Sequence, residues 1–508
     1  MAKKRKGFFQ RFLDGIEFVG NKLPHPITLF AILALLVIIA SGIVAGAGVT
    51  VEHPGEEGEM VEVTNLMNAE GIQYLFTSMV DNFIGFAPLG VVLATMLGIG
   101  IAERTGLISA VLRGFVLSVP KVLITAGLVF AGIMSSVASD AGYVVLPPLG
   151  AVIFAALGRH PLAGLAAAFA GVSAGFSANL FLSATDPMLA ELTRDAAAIV
   201  DPDYAAGMNI AMNYWFIIVS VFILTLIGAW VTERIVEPRL GEYTGEYREE
   251  LTGLENAEKK GILWAVVSLL ISSGLVALLI APPNAPMRGE DGAVIQSPFM
   301  ESLVPVIMLL FFIPGLVYGI VTKTIKNDKD VANQLSDTMA SMGMFIVLAF
   351  TAGQFVAYFD ETNLGLIIGV YGAEFLEAIQ LEGIPLVIAF IIVAGIINLF
   401  IGSASAKWAM MAPVFVPIMM YFGFSPELTQ MAYRIADSTT NIITPLMTYF
   451  AIIIAFAQKY DKKMGIGTMI SVMFPYSIAF TIIWTIMLIV WMLLGIDLGP
   501  GSPIYYEG

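Results

Sequence analysis

Long apolar runs separated by short polar segments make up most of the chain. Each run has about the 20 residues that an α-helix needs to cross the hydrocarbon core of a bilayer. Seven runs are predicted to span the membrane, at 27–49, 85–102, 208–236, 262–281, 303–321, 339–358 and 469–494. The pattern therefore predicts an all-α, polytopic membrane protein.

The segments between these runs differ in their lysine and arginine content. Positive charge is concentrated in the basic start MAKKRKGFFQRF, in KTIKNDKD, and in the segments 104–121, 237–260 and 459–463. The loop 50–70 and the tail LGPGSPIYYEG contain no lysine or arginine. Because basic loops stay on the cytoplasmic side of a membrane, the N-terminus is predicted to be cytoplasmic and the C-terminus external.

The composition agrees with a membrane protein and excludes several kinds of chemistry. Hydrophobic residues make up 58% of the 508 residues, and charged residues only 13%, about half of their share in soluble domains. The net charge of −15 comes from acidic loops, which we interpret as solvated segments. The chain has no cysteine, its three histidines each lie beside a proline, and no glycine directly precedes a lysine. Disulfides, thiolate metal sites and a P-loop are therefore excluded, and we expect neither enzymatic activity nor a nucleic-acid partner.

Two parts of the chain share the same order of polar residues and prolines. Ser139 and Ser405 precede Pro147 and Pro413 by the same number of residues. A further proline and then a polar break, SANLFLSATDP or TTNIITP, follow in each part. The loop charges indicate that the two parts enter the membrane from opposite sides, which is typical of the inverted repeats of secondary transporters.

Each repeat is predicted to contain a re-entrant hairpin, at 122–156 and 385–421, followed by a discontinuous helix. A helix that breaks at membrane depth exposes backbone groups, which is tolerable only where they line a cavity or lie inside protein. We predict a single transporter unit in which scaffold helices alternate with the two hairpin and broken-helix segments before a C-terminal helix. The predicted boundaries are 1–120, 121–207, 208–384, 385–460 and 461–508.

The breaks carry residues that are suited to bind an ion or an anionic substrate. Half-helix N-termini present partial positive charge to an anion, and the side-chain oxygens of Ser177, Asn179, Thr439 and Asn441 are suited to a small cation. We predict that these four residues coordinate substrate or ion, with sodium near Asn179, Asn441 and Asp437 as one option. The alternative is that they only satisfy the ends of the broken helices.

The motifs of both repeats resemble those of one transporter family. The runs SASAKWAMMAP, SPEL and AYRIADSTTNIITPLM, with SANLFLSATDPM in the first repeat, are similar to the p-aminobenzoyl-glutamate transporter (AbgT) family, which includes exporters associated with sulfonamide resistance. The resemblance covers essentially the whole chain. It implies nine spanning helices with two hairpins, a homodimer, a central cavity open to the cytoplasm and kinship with elevator-type carriers. It also places on the transport pathway Asp186, Ser405, Trp408, Pro426, Arg434, Asp437 and Pro445.

Several of these residues have a structural alternative. Arg434 and Asp437 lie three positions apart on a helix and could neutralise each other, although charges at membrane depth are usually functional. Asp186 precedes a proline, as helix-capping aspartates often do. Trp408 could serve for packing or for stacking on an aromatic substrate. Lys407 is suited to extend towards the membrane surface, so it is not included in the predicted site.

Together, these features predict a secondary active transporter in the bacterial inner membrane. The expected substrates are p-aminobenzoyl-glutamate, p-aminobenzoate or sulfonamide-like aromatic compounds, with antimetabolite export as one possible role. Arg434 would neutralise the substrate anion and Trp408 would pack against its ring. Asp186 and Asp437 would carry a coupling proton or lie beside a sodium site, and no other cofactor is expected. On this basis, Asp437→Asn should uncouple or abolish transport and leave the fold intact.

Two other functions would fit parts of this pattern. A sodium-coupled dicarboxylate carrier would use the same hairpins and polar breaks, and competition by succinate or citrate would favour it. A channel would show single-channel currents without counterflow. A membrane-embedded hydrolase of the H-E-x-x-H type has no matching motif in the chain.

Overall fold

The chain folds almost entirely into helices in a computed structural model, which describes residues 24, 26–52, 60–138, 141–245, 253–289, 292, 297–401, 403–444, 447 and 449–506. The α-helices are Pro26–Gly46, Ala69–Thr77, Met79–Ile84, Ala87–Arg104, Leu107–Ser118, Ile124–Ser135, Ala141–Ala156, Pro161–Phe169, Thr185–Ala198, Pro202–Gly207, Tyr214–Val231, Glu237–Leu240, Asn256–Leu278, Pro298–Glu301, Leu303–Thr322, Asp328–Ser341, Gly343–Glu361, Leu364–Ala378, Gly383–Asn398, Ala404–Tyr421, Pro426–Asn441, Phe450–Gln458 and Ile466–Leu494. Short 3₁₀ helices lie at Lys121–Leu123 and Ser136–Ala138, and π-helical segments at Ala170–Ala174 and Thr232–Val236. Two antiparallel strands, Thr50–Glu52 and Met60–Glu62, pair in a small hairpin.

Seven helices among the described residues are long and apolar enough to cross a membrane. Each of them matches one predicted span, and counting two sharply bent helix pairs as further spans gives nine. The predicted fold class is therefore confirmed. The seven helices are Ile27–Gly46, Met79–Arg104, Tyr214–Leu240, Asn256–Leu278, Leu303–Thr322, Gly343–Glu361 and Ile466–Leu494.

Two predicted spans begin before the helix that they match. The span predicted at 208–236 starts at Tyr214, because the residues before it form a turn that is held by the C-terminal tail. The span predicted at 339–358 starts at Gly343, because Met342 closes a separate polar helix. Apolar residues continue through both boundaries, so hydropathy alone does not locate them.

The two repeats open in the same way. Leu107–Ser118 turns by 115° into Lys121–Ser135, and Leu364–Ala378 turns by 120° into Gly383–Asn398. The opening helix of each repeat is not predicted by the sequence pattern. The first helix contains Arg113, so the sequence pattern assigns it to a cytoplasmic loop. The second helix is not separated by the pattern from the apolar run that follows it.

The hairpins and broken helices then follow as predicted. The second helices of the hairpins are Ala141–Ala156 and Ala404–Tyr421. The broken helices begin at Pro161 and Pro426, which each occupy the first turn after a capping residue, where a missing backbone N–H is tolerated. After the polar breaks, the chain resumes helical structure at Thr185–Ala198 and Phe450–Gln458.

Burial differs sharply between the repeats and the scaffold. Every residue of Pro161–Phe169 is buried, and so is every residue of Pro426–Asn441 except Thr440. By contrast, only three residues of Asn256–Leu278 are buried, although the helix is apolar. The broken helices therefore form the centre of the protein, and the scaffold helix presents its apolar side chains to the surroundings, as a lipid-facing helix does.

The two helices that follow the tip of the first hairpin approach each other closely at glycines. A Cβ atom added to Gly150 would lie 2.5 Å from the carbonyl oxygen of Gly164, in the neighbouring helix. Small residues allow this kind of close helix contact in membrane proteins. The glycines thus set the distance between the hairpin and the first broken helix.

We expect Gly150→Val to lower the free energy of unfolding by about 3 kcal/mol, because the new side chain would push two backbones apart. Thermal unfolding in detergent measures this effect. Gly274→Val is the matched control, because a Cβ at Gly274 has no atom within 4 Å. Equal loss of stability in both variants would show that the close approach is not important.

The C-terminal tail lies against the turn before the second broken helix. Ser425 N donates to Ile504 O at 3.1 Å, and Tyr506 OH donates to Asp201 Oδ2 at 2.7 Å. The backbone N–H of Tyr204 lowers the pKa of Asp201, and the hydrogen bond from Tyr506 acts in the same direction. The tail thereby ties the second broken helix to the turn that follows the first one.

Candidate transport site

A buried ion pair joins the two repeats at their breaks. Arg434 lies on Pro426–Asn441, and its Nη2 donates to Asp186 Oδ1 at 2.6 Å. Only 3% and 2% of these side chains are exposed. Arg434 also donates to Ser177 O at 3.4 Å, whereas its buried Nε has no hydrogen-bond partner among the described residues. Within the described part of the chain, Nε is thus a buried donor without a partner where the repeats meet.

Asp186 also stabilises the helix on which it lies. Its Oδ2 accepts hydrogen bonds from the backbone N–H of Ser183 at 2.6 Å and from the Ser183 hydroxyl at 2.8 Å. These contacts are made where the helix Thr185–Ala198 begins. The N-cap position of this helix is Ala184, which makes no side-chain capping bond, so the capping role that the sequence allows for Asp186 is not found. Asp186 instead holds the turn that precedes the helix and pairs with Arg434.

A second buried ion pair lies within the second repeat. Lys407 Nζ donates to Asp437 Oδ1 at 2.5 Å, and it also contacts Asn398 Oδ1 and, at 3.3 Å, Ile401 O. Lys407 is fully buried and Asp437 is only 2% exposed. Lys407 therefore does not extend to the membrane surface, and the alternative that Arg434 and Asp437 neutralise each other is not found, because each has another partner. Burial removes water from each charge, and direct contact with an opposite charge on another element compensates for that loss.

Trp408, next to Lys407, packs against protein groups. Its ring stacks on Tyr433 with the ring centroids 4.4 Å apart, and its Nε1 donates to Thr193 Oγ1 at 2.9 Å. None of its surface is exposed. In this conformation Trp408 has the packing role that the sequence allows, and its ring is closed to a substrate.

A chain of buried polar groups extends from Trp408 and is not predicted by the sequence. Thr193 Oγ1 lies 2.5 Å from Gln430 Oε1, and Gln430 Nε2 donates to Asn213 Oδ1 at 2.8 Å. Asn213 Nδ2 in turn donates to the backbone oxygen of Glu427 at 2.9 Å. None of these residues belongs to the repeated motif, and the polar residues along the second broken helix are the only sequence signal for them.

Asn179 and Asn441 contact the hairpin tips at matching positions, although the donor and the acceptor are exchanged between the two repeats. Asn179 Nδ2 donates to Ser136 Oγ at 3.0 Å, and Asn398 Nδ2 donates to Asn441 Oδ1 at 2.9 Å. The same number of residues separates Ser136 from Asn398 and Asn179 from Asn441. The contact is therefore duplicated, and it supports the internal repeat at the level of individual side chains.

Ser177 and Thr439 differ in their local structure. Ser177 lies in the first break, and its backbone N–H donates to Ser438 Oγ at 3.2 Å. Thr439 lies within a helix, and its hydroxyl accepts from Thr481 Oγ1 at 2.8 Å. Both residues have a structural role, and their part in binding substrate or ion stays a prediction.

The remaining pathway residues occupy positions that the helices set. Ser405 lies in the first turn of its helix, where its hydroxyl is 3.3 Å from Ser403 Oγ. Pro426 begins the second broken helix. Pro445, like Ser139 of the repeated motif, lies outside the described residues.

A cavity of about 420 Å³ lies between the scaffold and the repeats. One wall comes from the helix Thr185–Ala198 and the other from scaffold helices. The residues around it include three carboxyl groups and no lysine or arginine; the three are Asp81, Asp195 and Asp360. The cavity therefore favours protons and cations over anions.

One segment, 171–175, matches the G-x-S-x-G pattern of serine hydrolases. Ser173 is buried in a π-helical segment, and its hydroxyl contacts Met447 Sδ at 3.4 Å. His160, the one histidine within the described residues, caps a helix by accepting a backbone hydrogen bond. The described part of the chain thus places no histidine beside Ser173, and the motif does not form a catalytic serine site.

The duplicated hairpins, the breaks that meet in the interior and the buried ion pairs at those breaks define a membrane transporter. Comparison with known proteins identifies its family. A family model described as "AbgT putative transporter family" matches residues 11–506. The p-aminobenzoyl-glutamate transport protein of Escherichia coli strain K12 is 38% identical over 487 residues, which cover 96% of this chain and 95% of that protein. The chain belongs to the AbgT transporter family.

Two solved structures share the fold over almost the whole chain. The YdaH transporter of Alcanivorax borkumensis has a TM-score of 0.89 and 43% identity, and the match covers 94% of this chain and all of that one. MtrF of Neisseria gonorrhoeae, from a class of antimetabolite efflux pumps, has a TM-score of 0.90 and 48% identity, with 97% of this chain covered and all of that one. The relatives are transporters, which agrees with the prediction that the chain is not an enzyme.

Proposed function

We propose that the chain is a secondary active transporter of p-aminobenzoyl-glutamate, p-aminobenzoate or sulfonamide-like aromatic compounds in the bacterial inner membrane. The substrate named for the Escherichia coli relative supports the first of these compounds. The antimetabolite efflux of the class that includes MtrF supports the wider range of aromatic compounds.

The unused donor of Arg434 is the observation that carries this proposal. Nε and Nη2 form one side of the guanidinium, and a carboxylate prefers to bind both nitrogens together. In the structure Asp186 occupies Nη2, while Nε has no hydrogen-bond partner among the described residues. A substrate carboxylate would bind Nε and replace Asp186 at Nη2.

We further propose that a proton on Asp186 couples transport to the proton gradient. Protonation removes the charge that holds Arg434, so the guanidinium becomes free for the substrate anion. When the proton leaves, the Asp186 carboxylate competes with the substrate for Arg434. Proton and substrate therefore bind together and move in the same direction. Antimetabolite export is the alternative direction, and with an inward proton gradient it would require that proton and substrate exclude each other.

The aromatic part of the substrate is proposed to pack against Trp408 and Tyr433. Trp408 follows Lys407 in the chain, and Tyr433 precedes Arg434. When the Arg434–Asp186 ion pair opens, the free guanidinium would therefore lie beside an aromatic surface. Rings that stack in offset or edge-on geometry stabilise each other by about 0.5–1.5 kcal/mol. Both rings must move before a substrate can reach them, because neither is exposed in this conformation.

A cytoplasmic N-terminus, an external C-terminus and a homodimer are also part of the proposal. The loop charges support the orientation. The helix Asn256–Leu278 presents large apolar side chains, with Leu270 67% and Leu278 65% exposed, which supports a surface that faces lipid or a second copy. The proposed division into scaffold and repeat segments is supported by the duplicated order of helices.

Competition in proteoliposomes tests the substrate class. Labelled p-aminobenzoyl-glutamate is expected to enter, and unlabelled p-aminobenzoate and sulfonamides are expected to compete, whereas succinate and citrate are not. Entry of labelled succinate without p-aminobenzoyl-glutamate would support a dicarboxylate carrier instead. Single-channel currents without counterflow would indicate a channel.

A further inference from the structure

The oxygen atoms around Lys407 Nζ form a site of the kind that holds a small cation. Nζ contacts Asp437 Oδ1 at 2.5 Å, the carbonyl oxygen of Ile401 at 3.3 Å, and Asn398 Oδ1. These ligands are a carboxylate, an amide and a backbone carbonyl just after a helix end. In transporters with broken helices, such oxygen atoms coordinate sodium ions or protons.

The hydrogen bonds of Asn398 show that the ammonium completes this site. An ammonium group only donates, so Asn398 must present its Oδ1 to Lys407. Its Nδ2 then shares its two hydrogens among Asp437 O at 2.7 Å, Thr440 Oγ1 at 2.7 Å and Asn441 Oδ1 at 2.9 Å. The oxygen atoms around Asn398 Nδ2 therefore already have a donor. Nζ fills the separate position between Asp437 Oδ1, Asn398 Oδ1 and Ile401 O.

Lys407 has no counterpart in the first repeat. The spacing that matches Ser405 with Ser139 places Ala141 at the position of Lys407. The contact between the asparagine and the hairpin tip is duplicated, but the charged group is not. A hairpin of this kind therefore forms without a lysine, and the lysine adds a property of its own to the second repeat.

We propose that the Lys407 ammonium is a built-in cation, which takes the position that a coupling sodium ion would occupy in the second repeat. The protein then binds no sodium at this position, and this site gives its transport no dependence on sodium. The inference rests on the proposed function, because it assigns the ion specificity of the same site to Lys407. It also implies that removal of the lysine side chain leaves three oxygen ligands around an empty space that sodium can enter.

Thermal unfolding tests this proposal without any substrate. The full-length protein is purified and unfolded in sodium chloride and in choline chloride of equal concentration. We expect the same midpoint in both salts for the wild type. For Lys407→Ala we expect a saturable rise of the midpoint in sodium, because a ligand that binds the folded state stabilises it. Lys407→Met is the matched control, since its side chain fills the space without charge, and no sodium effect is expected.

Two results would overturn the proposal. One is a sodium-dependent midpoint in the wild type, and the other is a Lys407→Ala protein that unfolds at the same temperature in both salts. Wild-type uptake of p-aminobenzoyl-glutamate is a second measurement that needs no variant. It is expected to be equal in sodium and choline under a proton gradient, and an increase with sodium would also overturn the proposal. If uptake is absent in both salts, the proposed function is contradicted. The unfolding comparison would still decide the role of Lys407.

Discussion

Replacing Arg434 with alanine is expected to reduce uptake of p-aminobenzoyl-glutamate to the background of empty proteoliposomes. The guanidinium is the cation that the substrate carboxylate would bind, and its loss also leaves Asp186 buried without its partner. Loss of one partner of a buried ion pair lowers the free energy of unfolding by about 3–5 kcal/mol. Uptake and thermal unfolding of the same preparation measure the two effects.

A double variant separates transport from stability. Arg434→Met combined with Asp186→Leu removes both charges and keeps apolar volume, so most of the lost stability is expected to return. Uptake should stay absent. Arg434→Lys keeps the positive charge but not the paired donors, so we expect weaker substrate binding and a higher KM. Uptake at the wild-type level in the double variant would remove Arg434 from the mechanism.

Asp437→Asn is expected to abolish transport and also to destabilise the protein. The sequence alone predicts an intact fold for this variant, but the structure shows that the change would leave the Lys407 ammonium buried without its carboxylate. We therefore expect the free energy of unfolding to fall by about 3–5 kcal/mol. Thermal unfolding in detergent, together with uptake, measures both consequences.

The control for this variant removes the second charge as well. Lys407→Met combined with Asp437→Asn leaves no buried charge at the site, and we expect most of the stability to return while transport stays lost. An Asp437→Asn protein that unfolds at the wild-type temperature would show that the ion pair with Lys407 does not stabilise the fold.

Much of the architecture follows from the sequence because the bilayer imposes a simple rule. A spanning helix needs a minimum apolar length, so hydropathy finds all seven long helices. The hairpins follow from the repeated prolines and polar breaks. The helices Leu107–Ser118 and Leu364–Ala378 are missed, because a bend of 115° or 120° leaves no sign in a pattern of apolar residues.

The candidate site is only partly predictable from the sequence. Arg434, Asp437 and Asp186 can be selected because each is a charge within an apolar segment. The ion pair between Asp186 and Arg434 cannot be predicted, because these residues are 248 positions apart and meet only when the repeats pack together. Lys407 shows the same limit. Its flexible side chain can reach the membrane surface or the interior, and the position of Asp437 decides between the two.

The driving force for the wild-type protein tests the proposed coupling most directly. Proteoliposomes receive either a proton gradient with the acidic side outside or an inward sodium gradient, and accumulation of labelled p-aminobenzoyl-glutamate is measured. We predict accumulation under the proton gradient, none under the sodium gradient, and exchange without accumulation in Asp186→Asn. Accumulation driven by sodium, or accumulation by Asp186→Asn that still follows the proton gradient, would contradict proton coupling through Asp186 and Arg434.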